Sequence, residues 1–403
     1  MKINKIKKIL LIESNNMPKW IGNTVPIEIH LPPIALMYLA SYARINHPDL
    51  EFKIIESSLD TPGEEQLVKV IREFQPDIIG IRSILFFFEE LQKILRIIKS
   101  CADALIIVGG PIVQPLKRQL LQKCPEIDIA VRGEGESAFS AILTGESIRG
   151  IPGVLYRDKE NIIDTGEGTE IRNIDSIPFP AYDLIDVKEY GKHLSYCYNY
   201  RLQGLLLTSR GCVHDCTFCF NHWKQLRLRS AENVFIEIVE LNNRYNIQDF
   251  YIIDDIFNIN RERSVSLFNK IIKSGLKIKI YFANGIRIDA VDERFIDTAI
   301  EAGAIWFTYA IETANIELQK MIRKKIHLKK AAKLIAHTQN CGVAVNISTM
   351  YGFPFETPDK AQETIDWLET LPKTPILPYY FCLRIFPGCE IQKQAEAAGW
   401  PAD

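Results

Sequence analysis

Residues 205–219 read Leu205-Leu-Leu-Thr-Ser-Arg-Gly-Cys-Val-His-Asp-Cys-Thr-Phe-Cys219, and this stretch determines how the rest of the chain is interpreted. Cys212, Cys216 and Cys219 follow a short apolar run with Cys-x3-Cys-x2-Cys spacing. The apolar run predicts a strand, so the three thiols belong to a loop at its C-terminal end. Four thiolates would saturate a four-iron cluster, whereas three leave one iron open for an exchangeable ligand.

Two other interpretations of the three cysteines stay open. One is a structural zinc site completed by His214 or His222, although zinc sites usually show a second Cys-x2-Cys or a spaced histidine pair downstream, and neither follows. The other is a set of three unrelated core cysteines.

Length and composition suit a soluble globular protein with two domains, since 403 residues are 47% hydrophobic. The net charge of -2 gives no general attraction to nucleic acid, so no such partner is predicted. The longest apolar runs, such as 78–88, fall short of the roughly 20 residues that a membrane span needs. No signal peptide stands out at the N-terminus.

Nine cysteines are too sparse for a disulfide framework, and we expect a cytoplasmic location. The cysteines outside the triplet are interpreted as small buried hydrophobic residues; they are Cys101, Cys124, Cys197, Cys341, Cys382 and Cys389. The histidines that show no ligand spacing are interpreted as surface or core residues; they are His30, His193, His214, His222, His327 and His337.

Residues 1–144 alternate short strands with helices, which predicts a doubly wound parallel sheet. Glycines follow the fourth and fifth predicted strands, at Gly109 and Gly110 and then at Gly133 and Gly135 on either side of Glu134. Ligands of such sheets lie outside the carboxyl ends of the strands, where glycine lets the backbone approach them closely. Ordinary turn chemistry is the alternative explanation for each glycine pair.

Residues 145–195 are predicted to be a linker, with a small hairpin formed by 153–157 and 161–164 and an extended, proline-rich segment at 177–185. Residues 196–403 then show six strand-helix repeats, which predict a partial (β/α)6 barrel.

Polar side chains gather where the predicted barrel strands end, which is where barrels carry their functional groups. Carboxylates there accept hydrogen bonds from a cofactor, and a guanidinium holds a carboxylate. Capping of the following helices is the simpler alternative for each residue. The candidates are Asp254, Asp255, Asn284, Arg287, Glu312 and Gly352.

The cysteine motif, with Phe218 before the third cysteine, resembles that of the radical S-adenosylmethionine (SAM) enzymes. Residues 31–40, 108–111 and 131–136 resemble the N-terminal cobalamin-binding domain of one class of these enzymes. The Asp-x-His-x-x-Gly loop of other cobalamin proteins is absent, since Glu-Ser-Asn-Asn-Met-Pro stands at 13–18. Members of this class commonly lack that histidine, and cobalt would then have no lower ligand from the loop.

The resemblance implies how each cofactor is bound. Cys212, Cys216 and Cys219 would bind a 4Fe-4S cluster whose open iron is chelated by SAM. The aspartates Asp254 and Asp255 would replace the Gly-Gly-Glu motif at the SAM amino group, and Glu312 would lie near the ribose. Residues 352–357 resemble a Gly-Phe-Pro-Gly-Glu-Thr segment near the adenine, with Phe355 in place of a glycine. Cobalamin would lie beside Gly109, Gly110, Gly133, Glu134 and Gly135.

The expected function is methylation of an unactivated carbon through a 5′-deoxyadenosyl radical and methylcobalamin. Alternatives are non-methylating radical chemistry such as cyclisation, ring contraction or oxidation, and a non-catalytic cobalamin or iron-sulfur carrier. The substrate class is undetermined among small molecules, lipids and peptides, and the expected electron donor is a flavodoxin or ferredoxin. The chain ends soon after the sixth predicted strand, which indicates either an open barrel mouth or a fragment of a longer protein.

Overall fold

The computed structural model describes residues 6–14, 29–145, 147–195, 197, 199–220, 223, 225–372 and 376–400, with only the backbone described at 376 and 377. Residues 15–18 of the loop after the first predicted strand and the zinc candidate His222 lie outside the described residues. The chain divides into two compact units, Met1–Arg201 and Leu202–Asp403.

The first unit contains a sheet of seven strands in the order β2-β1-β3-β4-β5-β6-β7. The first five pair in parallel, which confirms the predicted doubly wound sheet, and β6 and β7 add to β5 in antiparallel fashion. The strands are β1 Lys8–Glu13, β2 Glu51–Glu56, β3 Ile78–Arg82, β4 Leu105–Gly109, β5 Ile129–Val131, β6 Val154–Asp158 and β7 Asn161–Asp164.

Burial explains why these segments form strands. Ile9 to Ile12 of β1 are four consecutive residues with no exposed surface, as expected where helices cover both faces of a parallel sheet. Helices connect the strands and pack with apolar residues three and four positions apart, such as Leu67, Ile71 and Phe74. The helices are α1 Ile34–Asn46, α2 Glu64–Phe74, α3 Phe88–Cys101, α4 Val113–Leu116, α5 Arg118–Lys123, α6 Gly135–Leu143 and α7 Val187–Tyr190.

The hairpin predicted within 145–195 forms, and it extends the sheet of the first unit. Tyr156 of β6 lies opposite Ile129 of β5 and Ile163 of β7. The role of 145–195 as a linker stays a prediction.

The second unit contains a parallel sheet of six strands in the order β15-β14-β13-β12-β11-β8, which matches the predicted partial barrel. Two short strands, β9 and β10, form a separate antiparallel hairpin that the sequence did not predict. The strands are β8 Gln203–Leu206, β9 Ser209–Arg210, β10 Arg227–Leu228, β11 Asp249–Ile252, β12 Lys279–Ile286, β13 Ala304–Glu312, β14 Ala344–Tyr351 and β15 Ile376–Cys382.

Side-chain caps fix where the helices of this unit begin. The predicted cap Ser230 accepts a hydrogen bond from Asn233, and Asn260, Asp292, Asn315, His327 and Thr357 cap in the same way. The helices are α8 Ala231–Tyr245, α9 Arg261–Ser274, α10 Glu293–Glu301, α11 Ile316–Met321, α12 Leu328–Asn340, α13 Pro358–Glu369 and α14 Glu390–Ala397.

Aromatic rings fill the space between the sheet and its helices. Phe282 lies 5.4 Å from Phe257 and 5.0 Å from Phe307, measured between ring centroids, and Phe268 continues the series to Phe295. These rings are almost fully buried, so they supply much of the apolar surface that holds the strands in place.

The interpretation of the remaining cysteines as buried is correct for Cys124, Cys197 and Cys389. It is wrong for Cys341 and Cys382, which are exposed, because the first caps a helix and the second ends the edge strand of the sheet. Among the helices of the described part of the chain, none combines the length and apolar character that a membrane crossing requires.

Candidate functional site

The three cysteines lie on one loop that connects β9 to β10. The hairpin closes the base of the loop, with Arg210 opposite Arg227. Gly211 has a φ of +88°, and a Cβ there would lie 2.5 Å from the carbonyl oxygen of Gln225. Only glycine fits this turn without displacing the returning backbone. The loop therefore enters and leaves at a fixed point, and Cys212 is the first residue after it.

The far side of the loop is attached to the C-terminal part of the unit. The backbone N–H of Thr217 donates to the carbonyl of Ile322, and the Thr217 carbonyl accepts from the backbone N–H of Ile391. Arg323 pairs with Asp215 of the loop at 3.3 Å and with Glu390 of α14 at 2.7 Å. These contacts hold the segment between Cys212 and Cys219 against α11 and α14.

Phe218 packs against an apolar cluster that lies under the loop. Its ring is partly buried there, so the aromatic residue before the third cysteine anchors the loop. The predicted contact between Phe218 and a cofactor stays a prediction. The buried members of this cluster are Leu318, Ile322, Phe353, Leu383, Cys389 and Ile391.

The spacing of the three sulfur atoms bears on the zinc alternative. Tetrahedral zinc with bonds of about 2.3 Å to sulfur brings thiolates within about 3.8 Å of one another. Among the described residues, the three thiols do not form a set whose sulfurs all lie within 4.8 Å. Zinc binding would therefore require the loop to close around the ion, and the assignment of the three cysteines as cluster ligands stays a prediction.

Two cations lie close to the thiols. Burial raises the pKa of the Cys216 thiol, and the charges of Lys324 and Arg287 act against this rise. The same two cations act in the same direction on the pKa of Cys212. Positive charge beside a thiol favours the thiolate, which is the form that binds metal. Burial outweighs the two charges, so the pKa of both thiols stays above its ordinary value, and the cations reduce the size of the rise.

Lys324 pairs with Glu312 at the end of β13. Its Nζ lies 2.8 Å from Oε1 of Glu312, and the two side chains are only 12% and 8% exposed. Glu312 has a φ of +68°, and Arg323 and Lys325 have φ values of +58° and +56°. Left-handed backbone at non-glycine residues costs energy and clusters at functional sites. No sequence signal pointed to Lys324, since a run of three cations is typical of a solvated surface.

In the structure Asp254 makes its hydrogen bonds within the protein. Its carboxylate accepts hydrogen bonds from the backbone N–H and hydroxyl of Thr208, each at 2.5 Å, and from the hydroxyl of Ser209 at 2.7 Å. It is 1% exposed, and burial raises its pKa. Asp254 therefore ties the end of β11 to the strand that leads into the cysteine loop. Its predicted contact with SAM stays a prediction.

Asp255 is exposed and lies on the cysteine side of the strand end. Its charge is among those that raise the pKa of Cys212 and Cys219. Asn284 is also exposed and donates from its side-chain amide to the carbonyls of Ile253 and Asp254, at 3.3 and 3.1 Å. Asp255 and Asn284 are therefore the two side chains of the predicted polar set that are exposed.

Arg287 is largely committed to contacts within the protein. Its side chain is 12% exposed, lies 2.8 Å from Asp289 and donates to the carbonyl of Lys324 at 2.6 Å. The buried Asn258, which the sequence did not indicate, bonds both the N–H and the carbonyl of Arg287. Arg287 thus fixes the backbone that carries Lys324, and its charge still acts on the thiols.

The segment after β14 forms a tight turn around Glu356. The Glu356 carboxylate accepts from the backbone N–H groups of Gly352 and Phe353. Gly352 has a φ of +83° and Phe355 a φ of +65°. Phe355 occupies the position at which the resembling segment has glycine, and the left-handed φ gives the physical reason for that glycine. Its ring is 53% exposed.

In the first unit, Gly109 and Gly133 leave the backbone uncovered at the carboxyl ends of β4 and β5. A Cβ at either position would meet no described atom closer than 3.9 Å. The strand order 2-1-3-4-5 is one of the two common orders of doubly wound folds, whose ligands lie at this edge of the sheet. Gly133 has a φ of +80°, which by itself favours glycine, whereas Gly109 has no such backbone reason. Gly109 therefore fits a ligand that needs close approach to the backbone, and its contact with cobalamin stays a prediction.

The other three predicted residues of this edge serve the protein itself. Gly110 has a φ of +91°, and a Cβ there would lie 2.7 Å from the carbonyl oxygen of Ser83. Glu134 is buried and accepts from the backbone N–H of Ile171 at 2.8 Å. Gly135 begins α6, and a Cβ there would lie 3.3 Å from Leu39. Contacts of these residues with cobalamin stay predictions.

A buried polar group that the sequence did not indicate lies where β1 and β2 end. Glu56 is fully buried and bonds Nδ1 of His30 at 2.7 Å, and the His30 ring packs against His193 with centroids 4.7 Å apart. Glu13 is also buried and pairs with Arg82, and burial raises its pKa. His30 is therefore part of a charged network rather than an isolated core histidine.

Two family models match the chain. The model of the radical SAM superfamily matches residues 206–368, which include the cysteine loop, and the model of the B12 binding domain matches residues 22–143.

Curated relatives match over most of the chain. An uncharacterised methyltransferase of Pyrococcus horikoshii is 28% identical over 92% of this chain and 79% of its own length. Cytidylyl-2-hydroxyethylphosphonate methyltransferase of Streptomyces wedmorensis is 28% identical over 72% of this chain. An anaerobic magnesium-protoporphyrin IX monomethyl ester cyclase of Cereibacter sphaeroides is 26% identical over 83%. The chain spans 60% and 56% of the latter two proteins.

A solved structure shares the fold of the chain. It is TsrM, a radical S-adenosylmethionine methyltransferase of Kitasatospora setae with cobalamin and a 4Fe-4S cluster bound. The TM-score is 0.77 at 18% sequence identity, and the match covers 97% of this chain and 75% of TsrM.

Proposed function

The chain belongs to the radical SAM superfamily and carries a B12-binding domain, and we propose that it is an enzyme that methylates an unactivated carbon of its substrate. The observation that carries this proposal is the presence, in one chain, of a three-cysteine loop within the part that matches the radical SAM superfamily and of a doubly wound sheet that matches the B12 binding domain. When bound, the cluster and SAM supply a 5′-deoxyadenosyl radical, and cobalamin supplies the methyl group.

The residues of the second unit divide into ligands and positioning residues. Cys212, Cys216 and Cys219 hold the cluster, and the charges of Lys324 and Arg287 act on the pKa of Cys212 and Cys216 against the rise that burial causes. Asp254 orients the loop through Thr208 and Ser209.

Asp255 and Asn284 are the exposed groups that bind SAM beside the loop. A carboxylate and an amide oxygen accept hydrogen bonds from an ammonium or a hydroxyl. Glu312 is the third SAM candidate, and it is held in place by Lys324. Gly352 belongs to the turn that Glu356 stabilises by accepting its backbone N–H. Because Gly352 has no side chain, a flat ring such as adenine would approach the backbone there.

In the first unit, Gly109 and Gly133 let the backbone approach cobalamin. We place the enzyme in the cytoplasm, because free thiols that are to bind a cluster require a reducing compartment. The electron donor proposed for it is a flavodoxin or a ferredoxin.

The test is anaerobic reconstitution with iron, sulfide and cobalamin, followed by chromatography and mass spectrometry of the products from SAM. Reconstituted protein should bind cobalamin and, with a reductant, release 5′-deoxyadenosine. A variant with alanine at all three loop cysteines should release none, whereas Cys101→Ser, a control on α3 of the first unit, should behave like the unmodified chain. Protein that binds both cofactors without cleaving SAM would be a carrier, and the proposal would fall.

A second candidate function is non-methylating radical chemistry, since one relative is a cyclase. The two reactions differ in their use of SAM. Methylation of carbon consumes one SAM as methyl donor and one as radical source, so it yields equal amounts of S-adenosylhomocysteine and 5′-deoxyadenosine. Cyclisation yields 5′-deoxyadenosine without S-adenosylhomocysteine. The ratio of the two products, measured with a substrate found by metabolite screening, decides between them.

A further inference from the structure

Three side chains with different metal-binding atoms converge on the outside of the second unit. Asp297 belongs to α10, His337 to the last turn of α12, and Cys341 directly follows α12. Oδ1 of Asp297 lies 2.7 Å from Nε2 of His337, and Sγ of Cys341 lies 3.9 Å from each of them. Asp297 and Cys341 are exposed and His337 is half-buried, so the group is open to solvent.

These distances are close to those of a metal site. Tetrahedral zinc with ordinary bond lengths places its sulfur about 3.5 Å from nitrogen and oxygen ligands, and places nitrogen about 3.3 Å from oxygen. The sulfur would have to approach by about 0.4 Å, and the hydrogen-bonded nitrogen and oxygen would have to separate by about 0.6 Å. Side-chain rotations of exposed residues supply shifts of this size without moving the helices.

The backbone supports the convergence. His337 and Cys341 are four residues apart, which places them on the same face of a helix. The last carbonyls of a helix favour a cation, and Cys341 caps this end of α12. The two helices are also joined by Lys333 and Glu293 at 3.1 Å, so the third ligand is held opposite the other two.

The group lies away from the cysteine loop. Cys341 is followed by Gly342, Val343 and then β14, so it lies where that strand begins. The turn at Gly352 follows the other end of the same strand. Any function of this group is therefore separate from SAM chemistry, and it does not depend on the proposed function.

We propose that Asp297, His337 and Cys341 form a binding site for a thiophilic divalent cation of the zinc class, with water as the fourth ligand. A mixed set of sulfur, imidazole and carboxylate favours zinc over magnesium or calcium, which prefer oxygen. Binding replaces the hydrogen bond between Asp297 and His337: the Nε2 proton leaves to solvent, the neutral ring takes its proton at Nδ1, and Nε2 then donates its lone pair to the metal. The thiol proton of Cys341 passes to solvent, so binding weakens as the pH falls. The ion links α10 to α12.

The test measures how fast each cysteine is alkylated in reconstituted protein, in which the cluster occupies the three loop thiols. Iodoacetamide is added with and without micromolar zinc, and peptide mass spectrometry reports the labelled fraction of each cysteine. Zinc should slow the labelling of Cys341 by about ten-fold or more, because a metal-bound thiolate is shielded from attack. Cys382, an exposed cysteine elsewhere in the same unit, serves as the internal control and should be unaffected.

Variants identify the other two ligands. His337→Gln and Asp297→Asn keep the size of each side chain while weakening or removing its affinity for metal, and both should largely abolish the protection of Cys341. Competition with a chromophoric chelator should show one zinc fewer per chain for Cys341→Ser than for Cys382→Ser. Equal protection of Cys341 and Cys382, or protection that persists in His337→Gln, would overturn the proposal. Iron content checks that the cluster is intact in every sample.

Discussion

Gly109 and Gly110 are adjacent at the end of β4, and substituting each in turn distinguishes an effect on cobalamin binding from an effect on stability. Gly109→Ala and Gly110→Ala add the same methyl group at neighbouring positions. At Gly110 the new Cβ would lie 2.7 Å from the carbonyl oxygen of Ser83 and 2.9 Å from Cγ of Arg82, with a φ of +91°. At Gly109 it would meet only the carbonyl oxygen of Val131, at 3.9 Å. The two substitutions should therefore act on different properties.

The expected loss of stability for Gly110→Ala follows from two terms. A left-handed backbone at alanine costs about 1–2 kcal/mol, and overpacking against a backbone that cannot rotate away costs about 1–3 kcal/mol. The sum of about 2–5 kcal/mol lowers the unfolding midpoint of a unit of this size by roughly 4–20 °C. For Gly109→Ala we expect a change within about 1 kcal/mol, since neither term applies.

For cobalamin binding, Gly109→Ala is the informative substitution. If the corrinoid approaches the backbone at Gly109, a methyl group there costs about 1–3 kcal/mol of contact energy, or roughly 5- to 150-fold in Kd. Thermal unfolding of the cobalamin-free protein, followed by circular dichroism, measures the first effect, and equilibrium dialysis measures the second.

Either measurement can refute part of this reasoning. A Gly110→Ala protein that melts with the unmodified chain would show that the backbone moves away from the new methyl group at little cost. A Gly109→Ala protein that binds cobalamin with unchanged affinity would remove Gly109 from the site. Iron content and 5′-deoxyadenosine release should be unchanged by Gly109→Ala, because the cysteine loop belongs to the other unit.

Three further predictions concern the second unit. Alanine at all three loop cysteines should remove about four irons per chain while leaving the circular dichroism spectrum intact, since the thiols lie on a loop; four irons retained in that variant would contradict the cluster assignment. Phe355→Gly should raise the free energy of unfolding by about 1 kcal/mol, because it relieves a left-handed φ, and urea denaturation that shows a loss instead would locate a stabilising role in the exposed ring. Lys324→Met should destabilise the unit by about 3–5 kcal/mol by leaving Glu312 buried without its partner; the double variant with Glu312→Leu should recover most of this, and a double variant as unstable as the single one would argue against the ion pair as the cause.

The outcome for individual polar residues shows where sequence reasoning stops. Asp254 and Asp255 are adjacent and chemically identical, and the strand pattern predicts the same role for both. In the fold one is 1% exposed and bonded by Thr208 and Ser209, and the other is exposed beside the cysteines. Neighbouring residues of a strand point to opposite faces, so a strand that continued through both aspartates would separate them in a predictable way. The strand of the structure ends at Ile252, two residues before Asp254. The directions of the two aspartates are therefore set by the loop that follows, and the strand pattern does not predict them.

Lys324 and Asn258 were not predicted for a related reason. Each acts through a partner from a distant part of the chain: Lys324 through Glu312 at the end of β13, and Asn258 through the backbone of Arg287. Neither partner shares a periodic pattern with the residue it contacts. The convergence of Asp297 with His337 and Cys341 is of the same kind, since Asp297 and His337 lie on different helices and are forty residues apart in the sequence.

The sequence by itself determined the features that depend on local spacing. Apolar runs of strand length and alternating helices determined both sheets, because burial on two faces requires continuous apolar residues. The cysteine spacing determined a loop able to hold a cluster, because its ligands come from one short segment. Tertiary structure alone decided which charges surround that loop, which of the two aspartates is buried, and which glycine has backbone atoms close to its Cα. Those properties depend on contacts between residues that are far apart in the chain. The energies of such contacts cannot be read from the residues of one short segment.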